Sequence, residues 1–198
     1  MVLLSGCAVE SGYEPANGDI VFQTSRSGQS AAIQAATKSR YSHMGVVYVR
    51  DGRPVVFEAV EPVRATPLDQ WIARGEGGHF VVKRLANAAE VLTPAALARM
   101  QAVGEGFAGR PYDLYFEWTD DRIYCSELVW KIYERGLGVE IGALQSLGDF
   151  DLSSPPVREK LRERWAGGPP LDEKVISPAA MFASDLLIEV YRGKALRP

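Results

Sequence analysis

Residues 123–130, with the sequence IYCSELVW, decide how the rest of this chain is interpreted. Cys125 stands at the start of a run in which apolar residues recur at the spacing of one helix face. Two aspartates precede the run, and an arginine and Gly136 follow its last turn, which suits the polarity and the C-terminal stop of a helix. The stretch therefore predicts a helix from Cys125 to Gly136 with the cysteine in its first turn.

Cys125 has two interpretations on this stretch alone. Unpaired N–H groups and the helix dipole at a helix start favour the thiolate, which is the nucleophilic form of cysteine. A free cysteine is also commonly a small, buried and inert core residue. The residues upstream decide between these interpretations.

Composition bounds the class of protein. The 198 residues are 46% hydrophobic and 24% charged, which is typical of one globular domain. The net charge of −3, with scattered Lys and Arg, argues against a nucleic-acid surface. There is no CxxC or HExxH motif and there are only two histidines, so the sequence predicts neither a metal site nor a cofactor. No run approaches the ~18 apolar residues of a membrane span.

Residues 1–17 are predicted to be a flexible tail before a single domain of residues 18–198. Residues 4–7, LSGC, resemble a bacterial lipoprotein signal in which Cys7 is acylated. The apolar stretch before Cys7 is shorter than the ~7–15 residues of a signal. The resemblance is therefore chance, or an upstream signal precedes it. An upstream signal would attach the protein to the membrane of the cell envelope; without one we expect a cytoplasmic protein.

The remaining chain predicts strands and helices in an α+β order. Apolar and β-branched runs predict strands at 19–23, 42–50, 54–60, 79–84 and 186–191. Helical spacing and capping residues predict helices at 30–38, 67–74 (with Thr66 as N-cap) and 94–107, and two short helices after Pro155 and Pro178. Residues 75–78 and 109–121 are predicted loops, the second one rich in aromatic residues.

A predicted hairpin brings a histidine and a carboxylate together. Asp51 and Gly52 form a strong two-residue turn signal, and with that turn residue 45 pairs with residue 58. Side chains alternate along a strand, so His43 and Glu58 share a face as diagonal neighbours. A carboxylate that holds one imidazole nitrogen presents the other to a nucleophile.

Interpretations without a catalytic role remain open for these residues. His43 can fill a polar edge of the core while Glu58 is solvated, and a slip of one residue in the register would separate them. His79 is a rival base at a strand edge, but only Glu76 is a nearby carboxylate in sequence.

Four segments carry a resemblance to a known family: GDIVF at 18–22, YSHMGV at 41–46, FEA at 57–59 and YCSEL at 124–128. Together with GRPYD at 109–113 they resemble the YiiX/YaeF-like family, which are circularly permuted papain-like proteins of the NlpC/P60 superfamily. The resemblance spans residues 18–185, which is nearly the whole predicted domain.

The resemblance implies an α+β fold in which a small antiparallel sheet packs against helices, including the helix that bears the cysteine. It also implies that Cys125 is the nucleophile, His43 the base and Glu58 the orienting third residue. The oxyanion would lie near the backbone N–H of Cys125, with Tyr41 or Gln23 as the second donor. Candidate substrate-binding residues are Tyr41, Tyr112 and Tyr124.

Three functions remain open at this point. The first is a papain-like cysteine hydrolase that cleaves an amide, in a peptide or a cell-wall peptide, through an acyl-enzyme. The second is a thioesterase or acyltransferase that acts on lipid. The third is a binding module without turnover, against which the three intact residues Cys125, His43 and Glu58 argue. A long apolar cleft would favour lipid, and a narrow polar cleft with a carboxylate would favour a short peptide.

Overall fold

The central hairpin turns at Asp51 and Gly52, as the sequence predicts. Both residues have positive φ angles, 50° and 74°, which is the conformation of a two-residue turn that matches the twist of its strands. Arg50 pairs with Arg53, and the register continues to Val46 opposite Phe57. The predicted register is therefore confirmed.

The computed structural model describes residues 12–194. The strands are β1 (Ile20–Ser25), β2 (His43–Arg50), β3 (Arg53–Glu58), β4 (Arg64–Pro67), β5 (Gly75–Leu85), β6 (Gln145–Ser146), β7 (Lys174–Val175) and β8 (Leu187–Lys194). The helices are α1 (Ser30–Thr37), α2 (Leu68–Arg74), α3 (Ala88–Val91), α4 (Pro94–Gly106), α5 (Cys125–Leu137), α6 (Pro155–Arg164) and α7 (Pro178–Phe182), with one 3₁₀ turn at Leu147–Asp149.

Six strands form one antiparallel sheet in the order β4-β3-β2-β1-β5-β8. The short strands β6 and β7 pair with each other. The sheet and its flanking helices confirm the predicted α+β class.

Each face of the sheet has its own hydrophobic cluster, because side chains alternate along the strands. On one face, Met44 and Val46 pack in a cluster with Leu128 and Ile132 of α5. On the opposite face, a second cluster gathers apolar residues of the sheet around Trp71 of α2. Full burial of each such side chain stabilises the fold by about 1.5–3 kcal/mol. The sheet is thus held between α5 on one side and α2 on the other.

Helix α5 begins at Cys125, as predicted, but continues past the predicted stop. It ends at Leu137, and Gly138 takes the left-handed conformation (φ 70°) that terminates it. Gly136 is instead a close-packing residue, since a Cβ there would lie 2.8 Å from Met100 Cγ and 2.9 Å from Met100 Cα. The glycine that stops the helix and the glycine that lets α4 approach it are different residues.

Two other local predictions are wrong. Thr66 does not cap α2, because it lies in β4 and its hydroxyl donates to Glu58. Residues 75–78 form the start of β5 rather than a loop, since the strand pairing reaches back to Gly75 opposite Ser25. In both cases a tertiary contact replaced the local preference of the sequence.

The predicted tail of residues 1–17 lies mostly outside the described residues. Its described end contacts the domain, since Tyr13 is buried against Phe80 and donates a hydrogen bond to Asp19 at 2.7 Å. The side chain of Asn17 accepts a hydrogen bond from the backbone of Val49 at 2.7 Å. The domain boundary itself stays a prediction.

We expect Gly136→Ala to lower the free energy of unfolding by about 1–3 kcal/mol, because the added methyl group would overpack the contact between α4 and α5. Gly106→Ala is the matched control, since a Cβ there meets nothing within 4 Å. Thermal and denaturant unfolding of the three proteins measure the difference. Equal stability of the two variants would show that α4 moves away without cost.

Candidate active site

Cys125 is the first residue of α5 and is only 2% exposed. The side chain of Glu127 accepts the backbone N–H of Tyr124 at 3.4 Å, and Ser126 donates to the carbonyl of Ile176 at 2.8 Å. These bonds fix the first turn of the helix against its neighbours. Free backbone N–H groups of a helix start favour negative charge there.

His43 is the first residue of β2 and its ring stacks on Trp71, with 6.0 Å between the ring centres. Its Nε2 lies 2.6 Å from Oε2 of Glu58, across the predicted hairpin. Gly45 opens the space for this contact, because a Cβ at that position would lie 2.8 Å from the Phe57 carbonyl oxygen and 3.3 Å from Glu58 Cβ. The structure therefore brings His43 and Glu58 together as the hairpin predicts.

Glu58 is fully buried and has three side-chain partners. Besides His43, its Oε1 accepts a hydrogen bond from the hydroxyl of Thr66 at 2.6 Å and another from the guanidinium of Arg74. Burial opposes ionisation of this carboxyl, but the hydrogen bonds and positive charges outweigh it and hold the pKa of Glu58 below its usual value. An ionised Glu58 can both orient the imidazole and stabilise its protonated form.

The protonation of the His43 ring depends on both Cys125 and Glu58. Burial lowers the pKa of His43, but hydrogen bonds and charges of Cys125 and Glu58 outweigh it and raise the pKa to about 9. Since Glu58 occupies Nε2, the ring nitrogen left for the thiol is Nδ1. The arrangement suits a protonated imidazole at His43.

Thr66 and Arg74 belong to this site and were not predicted from the sequence. Thr66 pairs with Val56 across β3 and β4, which makes it a diagonal neighbour of Glu58. Arg74 is the last residue of α2. The sequence predicts no strand that would bring Thr66 to Glu58, and the position of Thr66 before Pro67 resembles a helix cap instead.

The two candidate oxyanion donors lie in different places. Gln23 is buried directly opposite His43 in the β1–β2 pairing, and its Oε1 has no hydrogen-bond partner among the described residues. Tyr41 stacks on Phe182, with 4.3 Å between the rings, and its hydroxyl accepts a bond from Arg192. The structure brings Gln23, but not Tyr41, to the side of His43.

A narrow apolar cavity of about 100 Å³ reaches Cys125. Helices α1 and α6 form two of its walls. Its apolar lining includes Ile33, Ala36, Phe150, Val157, Leu161 and Trp165. Tyr124 and Phe116 lie beside the cysteine in the same cavity. Tyr124 therefore lines the cavity as well as preceding the helix.

A wider polar groove of about 990 Å³ lies on the side of His43. Its lining includes Gln23, Arg26, His43, Glu61, Arg74 and Tyr115. Four residues line both cavities, namely Gln29, Tyr112, Lys160 and Arg164. Cys125 thus faces the apolar cavity and His43 faces the groove, with this shared wall beside them.

Tyr112 lies on the shared wall near the thiol, and its hydroxyl accepts a hydrogen bond from Gln29 Nε2 at 2.7 Å. Burial, followed by the charge of Cys125, raises the pKa of Tyr112 well above its usual value, so the phenol stays protonated. Trp118 packs on Trp130 and lines neither cavity. His79 lies in β5, where it pairs with Lys194 of the edge strand β8, and it also lines neither cavity.

Within residues 12–194, no group of three or more His, Cys, Asp or Glu side chains could hold a metal ion. In the same part of the chain, no helix combines the length and the apolar character that crossing a membrane requires.

Comparison with known proteins identifies the family and the fold of this chain. Residues 14–191 match the family described as "Permuted papain-like amidase enzyme, YaeF/YiiX, C92 family". The chain is 49% identical over 178 residues to a protein of Escherichia coli (strain K12) named "Uncharacterized protein YiiX", covering 90% of this chain and 87% of that protein. It is also similar to the crystal structure of "metalloprotein yiiX" from Escherichia coli O157:H7, with a TM-score of 0.87 and 47% identity over 92% of this chain and 99% of that one. The predicted permuted papain-like fold is confirmed.

We expect iodoacetamide at pH 6 to alkylate Cys125 faster than free cysteine, because the imidazolium of His43 stabilises the thiolate. His43→Ala should slow this labelling about tenfold or more. Cys7→Ser provides the background in which a single thiol is counted by mass spectrometry.

His79→Ala is the matched control for the labelling, since it removes the second histidine, which lines neither cavity. The assignment of Cys125 as the nucleophile would be wrong if Cys125 did not react between pH 6 and 8. It would also be wrong if His43→Ala and His79→Ala gave equal alkylation rates. Cys125 would then be a buried structural residue.

Proposed function

The chain belongs to the permuted papain-like amidase family, and from that premise we propose that Cys125, His43 and Glu58 form a triad that cleaves an amide bond. The observation that carries this proposal is the buried contact of Glu58 with His43 at 2.6 Å beside a helix-start cysteine. In this proposal Cys125 is the nucleophile, His43 the base and Glu58 the orienting carboxylate, which are the three roles that acyl transfer uses.

The reaction would proceed through an acyl-enzyme. The Cys125 thiolate attacks the amide carbon, and the protonated His43 gives its proton to the nitrogen as the carbon–nitrogen bond breaks. The amine leaves, and a thioester joins the acyl group to Cys125. Water then attacks the thioester while His43 takes a proton from it, which releases a carboxylic acid and restores the pair.

Two donors would stabilise the tetrahedral oxyanion. The first is the backbone N–H of Cys125 at the start of α5, where the helix favours negative charge. The second is the side-chain amide of Gln23, which lies beside His43 and lines the groove. Tyr41 is less suited, because its hydroxyl and ring are engaged by Arg192 and Phe182.

The two cavities suggest which half of the substrate lies where. The acyl half stays on the cysteine, and Cys125 faces the narrow apolar cavity between α1 and α6. The amine half receives its proton from His43, which faces the polar groove. This division favours an amide with a slender apolar acyl group, such as a fatty-acyl amide, and a polar amine.

A peptide or cell-wall peptide is the second candidate substrate. The width and polar lining of the groove favour it, since a peptide needs polar groups along its backbone. A thioesterase or acyltransferase acting on lipid would use the same triad with a different leaving group or acceptor. Chain-length preference separates a fatty-acyl substrate from a peptide.

A metal is a further question, because one similar structure is described as a metalloprotein. The described residues of this chain do not fit a metal site at the triad. Glu58 uses its oxygens for His43, Thr66 and Arg74, and no other carboxylate or histidine completes a ligand set there. The mechanism above therefore uses no metal.

Attachment to the cell envelope through an acylated Cys7 also stays a proposal. Cys7 lies outside the described residues. Growth with a labelled fatty acid, followed by mass measurement of the N-terminal peptide, tests it. An unmodified Cys7 in the native host would remove this proposal and leave the amidase proposal untouched.

We expect kcat/KM on N-acyl ethanolamides to rise about three- to fourfold with each added methylene until the cavity is full, because each buried methylene contributes about 0.8 kcal/mol. Ala36→Leu, which narrows the cavity, should shift the preference to shorter chains. Ala98→Leu, on the exposed side of α4, is the control. Cys125→Ala should abolish turnover while the fold remains.

Peptides cleaved faster than every acyl amide, with no effect of Ala36→Leu, would overturn the acyl assignment and favour the second candidate. No turnover of any amide by the wild type would overturn the amidase function.

We expect turnover to fall as the pH rises through about 9, because the proton donor is the protonated His43 and its pKa is raised to about 9. The acid form is present below that pH and is lost above it. Glu58→Gln should move this alkaline fall to lower pH, since the carboxylate helps to raise the pKa of His43. Exposed Glu105→Gln should leave the pH profile unchanged; equal shifts in both variants would exclude a specific role of Glu58.

A further inference from the structure

The shared wall between the two cavities carries a half-buried arginine. Arg164 ends α6 and lines both the apolar cavity at Cys125 and the groove at His43. Its NH2 group donates to Gln29 Oε1 at 2.9 Å, and its guanidinium lies 5.4 Å from the centre of the Phe116 ring. These two contacts hold the guanidinium in place at the boundary.

The charge of Arg164 lacks a direct counterion among residues 12–194. Two other cations of the groove wall are paired, since Arg74 contacts Glu58 and Lys160 contacts Glu163 at 2.7 Å. Arg26 also lines the groove without an ion pair to the described residues, but it is exposed to solvent, whereas Arg164 is half-buried. No carboxylate oxygen of residues 12–194 lies within 4.0 Å of a guanidinium nitrogen of Arg164.

Nearby acidic groups are engaged elsewhere. Asp113 is fully buried, and its two oxygens accept the backbone N–H groups of Tyr115 and Glu117 at 2.8 and 2.6 Å. Glu163 already pairs with Lys160. A half-buried guanidinium fixed beside a reaction centre, with donors unused, suits a carboxylate on the ligand.

We infer that Arg164 binds a carboxylate on the amine half of the substrate, so that the preferred substrates are N-acyl amino acids. The inference rests on the proposed amidase function and names its substrate class. Arg164 lies at the boundary between the cavities, close to the point where the scissile bond must cross it. A carboxylate two bonds from the amide nitrogen, as in an amino acid, is placed to reach that boundary.

The proposed hydrolysis needs only Cys125, His43 and water as reacting groups. Cys125 takes the acyl group, His43 gives its proton to the amide nitrogen, and the free amino acid leaves through the polar groove. Water then releases the fatty acid from the thioester. Arg164 takes no part in bond making; it is a specificity-determining residue.

The test compares two substrates that differ only in charge, N-dodecanoylglycine and N-dodecanoylglycinamide. We expect the wild type to prefer N-dodecanoylglycine by about tenfold or more in kcat/KM. The uncharged end of N-dodecanoylglycinamide cannot form the charge-assisted hydrogen bond with Arg164 that the carboxylate forms. Arg164→Gln should reduce this ratio to near one, and Arg164→Lys should keep part of it. The ratio is measured within each variant, so a general loss of activity does not affect it.

Arg162→Gln is the matched control, because Arg162 is exposed on the same helix and lines neither cavity. It should keep the wild-type ratio. Calorimetric binding of N-dodecanoylglycine to Cys125→Ala, with and without Arg164→Gln, gives a second readout that needs no turnover. Thermal unfolding checks that Arg164→Gln is folded.

The outcomes separate the inference from the function. Turnover of both substrates without preference for the acid, or an unchanged ratio in Arg164→Gln, would overturn the role of Arg164 and leave the amidase function standing. If Arg26→Gln, and not Arg164→Gln, abolished the preference for the acid, the carboxylate would bind at the groove rim. That result would also overturn the role of Arg164. No turnover of either substrate, with Arg164-dependent binding of the acid, would overturn the amidase function alone.

Discussion

The buried carboxylate of Glu58 is the constraint on which the candidate site depends. An unpaired charge at a fully buried position costs several kcal/mol, and removal of one partner of a buried pair costs about 3–5 kcal/mol. Glu58 therefore requires His43, Thr66 and Arg74 at once. These partners come from β2, β4 and the end of α2, so a single carboxylate ties three elements to the third strand.

The helix that bears Cys125 is held by a second buried hydrogen-bond network, around Lys131 and Glu127. Lys131 is almost fully buried and donates to Glu127 at 2.6 Å, to Asp120 at 2.8 Å and to the carbonyl of Thr119 at 2.7 Å. Burial raises the pKa of Glu127 to about 8, although Lys131 opposes the rise. Together with the bond from the Tyr124 backbone to Glu127, this network fixes the loop before the helix and hence the direction of its first turn.

The two buried networks hold the two key side chains on different parts of the cleft. The Glu58 network holds His43 beside the polar groove, while the Glu127 network holds Cys125 against the apolar cavity. The wall between them is built from Gln29 of the loop before α1, Tyr112 of the aromatic loop and Arg164 of α6, joined by hydrogen bonds. A ligand that extends from one cavity into the other must pass this wall.

Local signals in the sequence determined the parts of the site that depend on near neighbours. The turn at Asp51 and Gly52 set the register that joins His43 to Glu58, and helical spacing placed Cys125 at a helix start, because both depend on a few adjacent residues. The family resemblance added the permuted order of the fold. The sequence did not reveal the partners of Glu58, the separation of Tyr41 from the cleft or the contact of Gln29 with Arg164, whose positions differ by 135 residues. Only the tertiary structure decided these, because side chains far apart in the chain meet through the packing of whole elements, which no local pattern encodes.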